Sequence, residues 1–459
     1  MFAYEAPGRL VAIRDRDPVL GEWEHRAFVP DPLGEAMPAL DPRTFMRVAD
    51  ARAALAALDN TARQLPNPTL LRLPTLRREA QSTSALEGTY APLADVLIAD
   101  EDDPQTAELV EILNYVRAAN HGFEWVSDGR PFSVAFFSDL QGLLMRGTPL
   151  AGESGRLRDG QVVIGRRGDA DPAGFPVHNA RFVPPPPGDD LQLGVQALAD
   201  WMRVDRRADI DPVVGAAMSH YQLEALHPFR DGNGRIGRLM IVLFLQAAGV
   251  LSEPTLTVSP WFEARRGEYY DGLLGVSTRN DWDGFVRFFA EGLRQAADAT
   301  RTEMIALSAV QSELKDHVRS SPLRADSAHA LVDLAVANPT FTVRKVERDL
   351  GHFLRPCQQA RGATRRSRAP RRRELERVQA PLLRSARTRG TDESSQQLSR
   401  LVISRLDTAP NHSEPIELQY GDSQAGDEVP ALSRPTSAGS EPDARSTAGA
   451  DGRIDAGTT

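Results

Sequence analysis

Residues 227–238 read HPFRDGNGRIGR, and this stretch concentrates more reactive side chains than any other in the 459-residue chain. A histidine opens it, an aspartate precedes a Gly-Asn-Gly turn, and two arginines follow three positions apart. Backbone N–H groups of a glycine-rich turn that opens a helix converge on one point, where the helix dipole adds positive potential. The stretch therefore predicts a phosphate site at the beginning of a helix.

The side chains around this turn suit chemistry on a phosphoanhydride. Asp231 can hold a Mg²⁺ that bridges two phosphates, because magnesium usually takes only one or two protein carboxylates. Arg235 and Arg238 lie on neighbouring helical positions, and guanidinium groups bind phosphate oxygens well. His227 can take the proton of an attacking hydroxyl near neutral pH. Singly, a histidine at a helix end or a Gly-x-Gly is more often structural, but the joint pattern favours catalysis.

The composition indicates a globular protein with an unusual choice of cations. Its 41% apolar and 25% charged residues are ordinary, and the length allows two or three domains. Only Lys315 and Lys345 are lysines among 54 basic residues, so a P-loop lysine or a Schiff-base lysine is excluded before position 315. The single cysteine, Cys357, excludes an intrachain disulfide and a Cys-based zinc site. The net charge of −9 does not indicate nucleic-acid binding.

The hydrophobic pattern predicts an all-α fold with one small hairpin. Helical apolar spacing runs through residues 51–58 and 107–113, and an Asp-Pro N-cap starts a helix over about 212–226. The next helix should begin after the Gly-Asn-Gly turn and stop at Gly249. Strand signals are few, and the exception lies between positions 155 and 183. No apolar run approaches the roughly 20 residues that span a bilayer, so we expect a cytoplasmic protein.

The twelve residues fit H-x-F-x-(D/E)-G-N-G-R-x-x-R, the signature of the Fic family, which the chain resembles from about residue 40 to 300. The segment Thr83–Gly88 resembles the family's inhibitory motif, (S/T)-x-x-x-E-(G/N). The hairpin looks like its target-positioning flap, and Ala180–Pro187 matches the segment before the next helix. The resemblance implies a Fic-type helical core with a β-hairpin flap.

The same resemblance implies transfer of AMP from ATP to a Ser, Thr or Tyr hydroxyl of a target protein, with Mg²⁺ bound. It makes His227 the general base and Asp231 the metal ligand. Asn233 and Arg235 also belong to the catalytic set. The Gly-Asn-Gly triplet favours this reaction over the family's kinase-like branch, which carries lysine at the third position. The implied nucleotide-binding residues are Gly232, Asn233, Gly234, Arg235, Arg238, Tyr269 and Tyr270.

Glu87 is the regulatory residue that the resemblance implies. It would pair with Arg238 and so hold this arginine away from the outermost phosphate, leaving ATP bound unproductively. From the residues alone, Glu87 can also be a solvated glutamate at a helix end, with Gly88 as its C-cap. Two other functions stay open: removal of AMP from a target by a water that Glu87 activates, and a DNA-binding regulator of the toxin–antitoxin type.

The flap and the tyrosines have structural alternatives as well. The flap residues are Gln161, Val162, Val163, Ile164 and Gly165. Their strand can accept an extended target peptide by strand addition, or it can be a plain surface hairpin. Tyr269 and Tyr270 stand where relatives contact adenine, although two tyrosines on an aromatic-rich helix are more often core residues.

We divide the chain into four segments. Residues 1–115 form an N-terminal helical region with the inhibitory motif, and 116–300 form the catalytic core. Residues 301–350 hold a linker helix and a partial winged helix-turn-helix, whose pattern breaks after Gly351. Reading the following codons in another frame gives an amphipathic helix, so we hypothesise a reading-frame change near 351–354. Residues 351–459 are then a largely disordered tail, DNA contact is at most weak, no membrane partner is expected, and a homodimer stays open.

Overall fold

The structure is a computed structural model that describes residues 2–17, 19–64, 68–99, 104–171, 173–320, 329, 332 and 333. Its helices are α1 (Pro42–Gln64), α2 (Pro68–Leu86), α3 (Leu93–Ile98), α4 (Ala107–Ser127), α5 (Val134–Leu144), α6 (Pro176–Asn179), α7 (Asp189–Arg203), α8 (Pro212–Leu226), α9 (Asn233–Ala247), α10 (Ser259–Ala264), α11 (Arg266–Arg279) and α12 (Trp282–Ser320). Its strands are β1 (Gly8–Asp17), β2 (Gly21–Pro30), β3 (Ile164–Arg166) and β4 (Ala180–Phe182). The predicted mainly helical fold class is confirmed.

Most predictions for the C-terminal part concern residues that the structure does not describe. The reading-frame change and the disordered tail lie outside the described residues. So does the winged helix-turn-helix except for residues 329, 332 and 333, and with it the predicted DNA contact. The helix α12 runs without a break through residue 300, where the sequence placed the boundary between core and linker helix. No proline interrupts it. Within the described ranges, none of the helices combines the length and the apolar character needed to cross a membrane.

The helices α8 and α9 form the centre of the core. Nearly all of their side chains are buried, as the apolar spread of α9 predicted. Glycines allow them to approach closely: a Cβ on Gly215 would lie 2.9 Å from Cζ of Phe244, and one on Gly237 would lie 2.3 Å from Oε1 of Glu224. The connection between these two helices is the motif loop, so their packing fixes where the motif residues stand.

The sequence did not indicate the N-terminal hairpin of β1 and β2, which lies outside the region of its strand signals. The two strands pair antiparallel from Gly8 opposite Pro30 to Asp17 opposite Gly21. Charged residues make up the second half of β1, which reads RDRD over 14–17, so the apolar alternation is too short to stand out. Only Val11 and Ile13 of β1 pack against the small apolar cluster beneath the hairpin.

The flap hairpin of β3 and β4 begins later than the sequence suggested, at Ile164 instead of Gln161. Extending the observed register would place Val163 opposite Val183. The carbonyl of Val183 accepts a hydrogen bond from the backbone N–H of Phe28 at 2.9 Å, so it is already used by β2. The side chain of Gln161 donates to the Pro184 carbonyl at 3.0 Å and closes the base of the flap instead.

Truncation of the central helix tests this arrangement. Leu243 of α9 is fully buried, so Leu243→Ala should lower the free energy of unfolding by about 2–5 kcal/mol through lost contacts and a residual cavity. Leu193 on α7 is 69% exposed, and Leu193→Ala should change it by less than about 0.5 kcal/mol. Urea unfolding measures both. Equal shifts of the two midpoints would contradict the packing described.

Candidate functional site

The motif histidine stands at the exit of α8 in the left-handed backbone region. His227 has φ 46° and ψ 60°, and its N–H still donates to the Leu223 carbonyl as the last bond of the helix. A non-glycine residue in this region costs roughly 1–3 kcal/mol, so its surroundings must hold it there. Among the described residues only His227 and Asn280 combine a positive φ with a side chain.

The motif loop is braced from inside by Asn233. Its Nδ2 donates to the Phe229 carbonyl and its Oδ1 accepts from the Phe229 N–H, both at 2.8 Å. The ring of Phe229 is fully buried, which anchors the loop in the core. Gln141 adds a hydrogen bond of 3.2 Å from Nε2 to the carbonyl of Asp231. The side chain of Asn233 therefore shapes the loop, and its backbone N–H stays at the first turn of α9.

The first turn of α9 lies against a carboxylate of the chain itself. Gly232 precedes the helix in the left-handed region, with φ 83°. N–H groups in the first turn of a helix have no partner inside the helix. A Cβ on Gly234 would lie 2.1 Å from Oε1 of Glu87, so glycine is needed for this close approach. The positive end of the helix dipole favours the charge of Glu87 at this place.

The same carboxylate pairs with the second motif arginine. Oε1 of Glu87 lies 2.5 Å from Nη2 of Arg238, whose side chain is fully buried. Thr83 adds two acceptors, its Oγ1 at 2.7 Å from Nε and its carbonyl at 3.1 Å from Nη2 of Arg238. Burial alone would raise the pKa of Glu87, but the Arg238 guanidinium outweighs it and the pKa is lowered. The end of α2 is thus tied to α9 by a charged pair.

The first motif arginine pairs with two other carboxylates. Arg235 lies 3.0 Å from Oε2 of Glu111 on α4 and 3.3 Å from Oδ2 of Asp231. The hydroxyl of Thr89 donates to the same Glu111 oxygen at 3.0 Å. Within the described part of the chain, Nε of Arg235 and Nη1 of Arg238 are buried without a hydrogen-bond partner. Each arginine therefore keeps an N–H group that could donate a hydrogen bond to a phosphate oxygen.

A cavity of about 320 Å³ opens beside these groups. Glu87, His227 and Gly234 line it, and so do the flap residues Val163, Ile164 and Gly165, whereas Gln161 and Val162 do not. Most of its remaining walls are apolar and come from Leu86, Phe182, Ala225, Tyr270, Leu273 and Leu274. Polar groups are added by Arg181, Tyr221, Glu224, Arg266 and Ser277. An apolar cleft of this size with a few convergent polar groups is typical of a small-molecule site.

The two tyrosines of α11 have different surroundings. Tyr270 lines the cavity, and its hydroxyl lies 3.5 Å from the Leu86 carbonyl. Tyr269 is fully buried, and its hydroxyl lies 2.8 Å from Nε2 of His220. The structure therefore brings only Tyr270 to the cavity.

The histidine of the motif is neutral at physiological pH. Burial lowers the pKa of His227 to about 4, although Glu87 opposes this effect. Its Nδ1 lies 3.4 Å from the Glu224 carbonyl, and the ring borders the cavity. A neutral imidazole can accept a proton from a group bound there.

Asp231 offers one half-exposed carboxylate beside the turn. Its Oδ1 accepts from the Gly232 N–H at 2.6 Å, and its Oδ2 is the Arg235 partner described above. Over the described ranges, no group of three or more His, Cys, Asp or Glu side chains could hold a metal ion by itself. One carboxylate is nonetheless the donor set that suits a Mg²⁺ arriving with a nucleotide, since the phosphates and water supply the other ligands.

The sequence did not indicate the contacts that three residues make in the site. Glu111 lies on an ordinary amphipathic helix, and only its distance to Arg235 distinguishes it. Thr83 was recognised as the first residue of the inhibitory motif, but not as a partner of Arg238. Arg158, which donates to the His227 carbonyl at 2.8 Å, carries no local signal in a chain so rich in arginine.

Comparison with known families agrees with the motif. Residues 45–124 match the family described as Fic/DOC family N-terminal, and residues 131–245 match the Fic/DOC family. Over these two segments the chain is similar to the Fic/DOC family, which confirms the resemblance.

Curated and solved relatives carry the same family name. The protein adenylyltransferase Fic of Drosophila willistoni is 33% identical over 146 residues, which are 32% of this chain and 25% of that protein. The Culex quinquefasciatus protein of the same name gives the same identity and coverage. The chain thus spans about a quarter of the length of these relatives. A Fic family protein from Desulfovibrio desulfuricans G20 matches with TM-score 0.48 and 24% identity, covering 73% of this chain and 99% of its own.

The bracing of the loop is tested by Asn233→Asp. The variant keeps the acceptor for the Phe229 N–H but replaces the donor with a second oxygen facing the Phe229 carbonyl, so unfolding should become easier by about 1–3 kcal/mol. Asn60→Asp is the matched control, because Asn60 is exposed and uses only its Oδ1 as an acceptor for Gln64. Chemical denaturation at pH 7 compares them. A stability loss confined to the control, or absent from both, would contradict the buried clamp.

Proposed function

We propose that the chain transfers AMP from ATP to a Ser, Thr or Tyr hydroxyl of a target protein, and that Glu87 inhibits this transfer. The observation that carries the proposal is the position of the Glu87 carboxylate. The carboxylate lies against Gly234 at the N-terminus of α9, and its Oε1 is 2.5 Å from Nη2 of Arg238. A helix N-terminus and a guanidinium, two elements of a phosphate site, meet there. The match to the Fic/DOC family and the relatives named adenylyltransferases support the same reaction.

In the proposed reaction the target hydroxyl oxygen attacks the α-phosphorus of ATP. The bond between this phosphorus and the bridging oxygen breaks, pyrophosphate leaves, and AMP stays on the target. His227 accepts the hydroxyl proton, which its lowered pKa allows because the ring is neutral at pH 7. Backbone N–H groups of the turn over 232–234 stabilise the charge that develops on the α-phosphate.

The remaining site residues would bind and orient the substrates. Asp231 would hold Mg²⁺ with the nucleotide, and the ion would neutralise phosphate charge and assist the departure of pyrophosphate. Nε of Arg235 and Nη1 of Arg238 would donate to phosphate oxygens. The apolar walls with Tyr270 would receive the adenine ring.

The flap would hold the target backbone. Its sheet contains only β3 and β4 among the described residues, so the outer edge of β3 presents backbone groups to an added strand. Ile164 and Gly165 of this strand border the cavity that contains His227. A target segment added there would bring its hydroxyl side chain near the base.

Removal of the inhibitory carboxylate is the first test. Glu87→Gly frees Arg238 for phosphate, and a charge-assisted pair worth about 1.5–3 kcal/mol should release at least about tenfold more self-modification with labelled ATP. Glu35→Gly, at an exposed loop position, should leave labelling unchanged. No increase in Glu87→Gly would contradict inhibition. Loss of AMP from a modified protein that depends on Glu87 would favour hydrolysis instead.

Removal of the base is the second test. His227→Ala should abolish labelling in the Glu87→Gly background, because no other group accepts the hydroxyl proton there. ATP binding, measured by calorimetry, should stay near that of the parent, since the imidazole does not bind phosphate in this proposal. His317→Ala, on the half-buried face of α12, serves as the control. Persistent labelling without His227 would exclude it as the base.

A further inference from the structure

Arg158 is buried, and none of the carboxylates in the described ranges pairs with it. It precedes β3 and is 6% exposed. Its Nε donates to the His227 carbonyl at 2.8 Å, its Nη1 to Gly160 at 3.0 Å and its Nη2 to Pro185 at 2.5 Å. Its own backbone N–H donates to the Pro228 carbonyl at 3.0 Å. All of these acceptors are backbone carbonyls.

This arrangement meets a need at the end of α8. The last carbonyl groups of a helix have no N–H partner within the helix, and the helix dipole favours a cation at this end. Arg158 reaches the carbonyls of Leu226, at 3.5 Å, and His227, where the backbone turns into the left-handed region. A buried cation is costly unless its donors are satisfied, so its place here indicates that these bonds matter to the fold of the exit.

The same side chain joins the base to both ends of the flap. Gly160 directly precedes the flap, and Pro185 follows its second strand. The guanidinium therefore fixes three backbone points at once: the exit of α8, the entry of the flap and its return. In the proposed function the flap holds the target and His227 takes the proton of the target hydroxyl. The Arg158 guanidinium therefore sets the distance between the flap and His227.

We infer that Arg158 is a positioning residue for AMP transfer, which fixes the left-handed backbone of His227 and registers the flap against it. This inference rests on the proposed function. Arg158 is not among the residues that line the cavity, so it acts through the backbone of the base and of the flap.

The charge of Arg158 gives this role its own signature. Burial lowers the pKa of His227 most; Glu87 and Asp231 raise it, the Glu224 carbonyl raises it, and the Arg158 guanidinium lowers it. Loss of the guanidinium should therefore raise the pKa of His227. The neutral ring is the active form, so the rate falls at low pH where the ring becomes protonated. This acid limb of the pH–rate profile should therefore move to higher pH.

The test compares Arg158→Met and Arg158→Lys in full-length Glu87→Gly protein. For Arg158→Met we expect kcat of self-modification to fall by about 100-fold, the loss that a misplacement of about 1 Å produces, while KM for ATP stays near the parent value. Its acid limb should move to higher pH. Arg158→Lys keeps the positive charge but has fewer hydrogen-bond donors. Its acid limb should therefore stay at the pH of the parent, and its kcat should lie between those of the parent and of Arg158→Met. It also serves if Arg158→Met fails to fold.

Arg77→Met is the matched control. Arg77 is 3% exposed and also donates to backbone carbonyls, those of Val96, Leu97 and Ala99. Its loss should reduce stability without moving the acid limb. An equal shift in Arg77→Met, or unchanged kcat in both Arg158 variants, would overturn the inference.

A second readout does not need activity. NMR titration of histidine-labelled protein gives the pKa of the His227 ring, whose signal is identified by its absence in His227→Ala. A rise in Arg158→Met but not in Arg158→Lys supports the inference, and no rise overturns it. A parent that forms no AMP-protein linkage would overturn the proposed function, and the titration would still decide whether Arg158 sets the environment of His227.

Discussion

The buried guanidinium of Arg238 is the group on which the arrangement of this site depends. A cation that is shielded from water needs acceptors around it, and the free energy of leaving it unpaired is large. Here α2 supplies these acceptors through Thr83, and Glu87 follows at the end of the same helix. The N-terminal part of the chain is thereby fixed on the first turn of α9.

The acceptors of Arg238 are not equivalent in what they allow. The Thr83 oxygens reach Nε and Nη2 from the side of α2, whereas the Glu87 carboxylate lies over Gly234 at the N-terminus of α9. A phosphate group needs the same helix end and the same positive charge. In the proposed function, carboxylate and phosphate are therefore alternative occupants of one anion site, and inhibition would follow from their competition without a second binding site.

Much of the site could be predicted because its residues are close in sequence. The order of base, carboxylate, Gly-Asn-Gly turn and arginines in 227–238 fixed the boundary between α8 and α9. The resemblance of Thr83–Gly88 to the family's inhibitory motif implied the long-range partner of Glu87, and the two side chains do meet. In the first case a local pattern of residue types carried the information, and in the second the family resemblance did.

Other features depend on contacts that no local pattern records. The hairpin over 8–30 has strands with few apolar residues, and it is secured by a backbone hydrogen bond from Phe28 to Val183. The late start of β3 follows from the Val183 carbonyl, which the backbone N–H of Phe28 already uses. Arg158 serves carbonyl groups of three separated segments, which only the folded chain brings together.

The most direct measurement of the central claim is the affinity of the parent protein and of Glu87→Gly for ATP and for AMP, determined by calorimetry with Mg²⁺. If carboxylate and outer phosphates compete for Arg238, the variant binds ATP roughly tenfold more tightly, the equivalent of one charge-assisted hydrogen bond, whereas the affinity for AMP, which has no outer phosphate, rises less. An equal change for both nucleotides, or no change for either, would contradict the account.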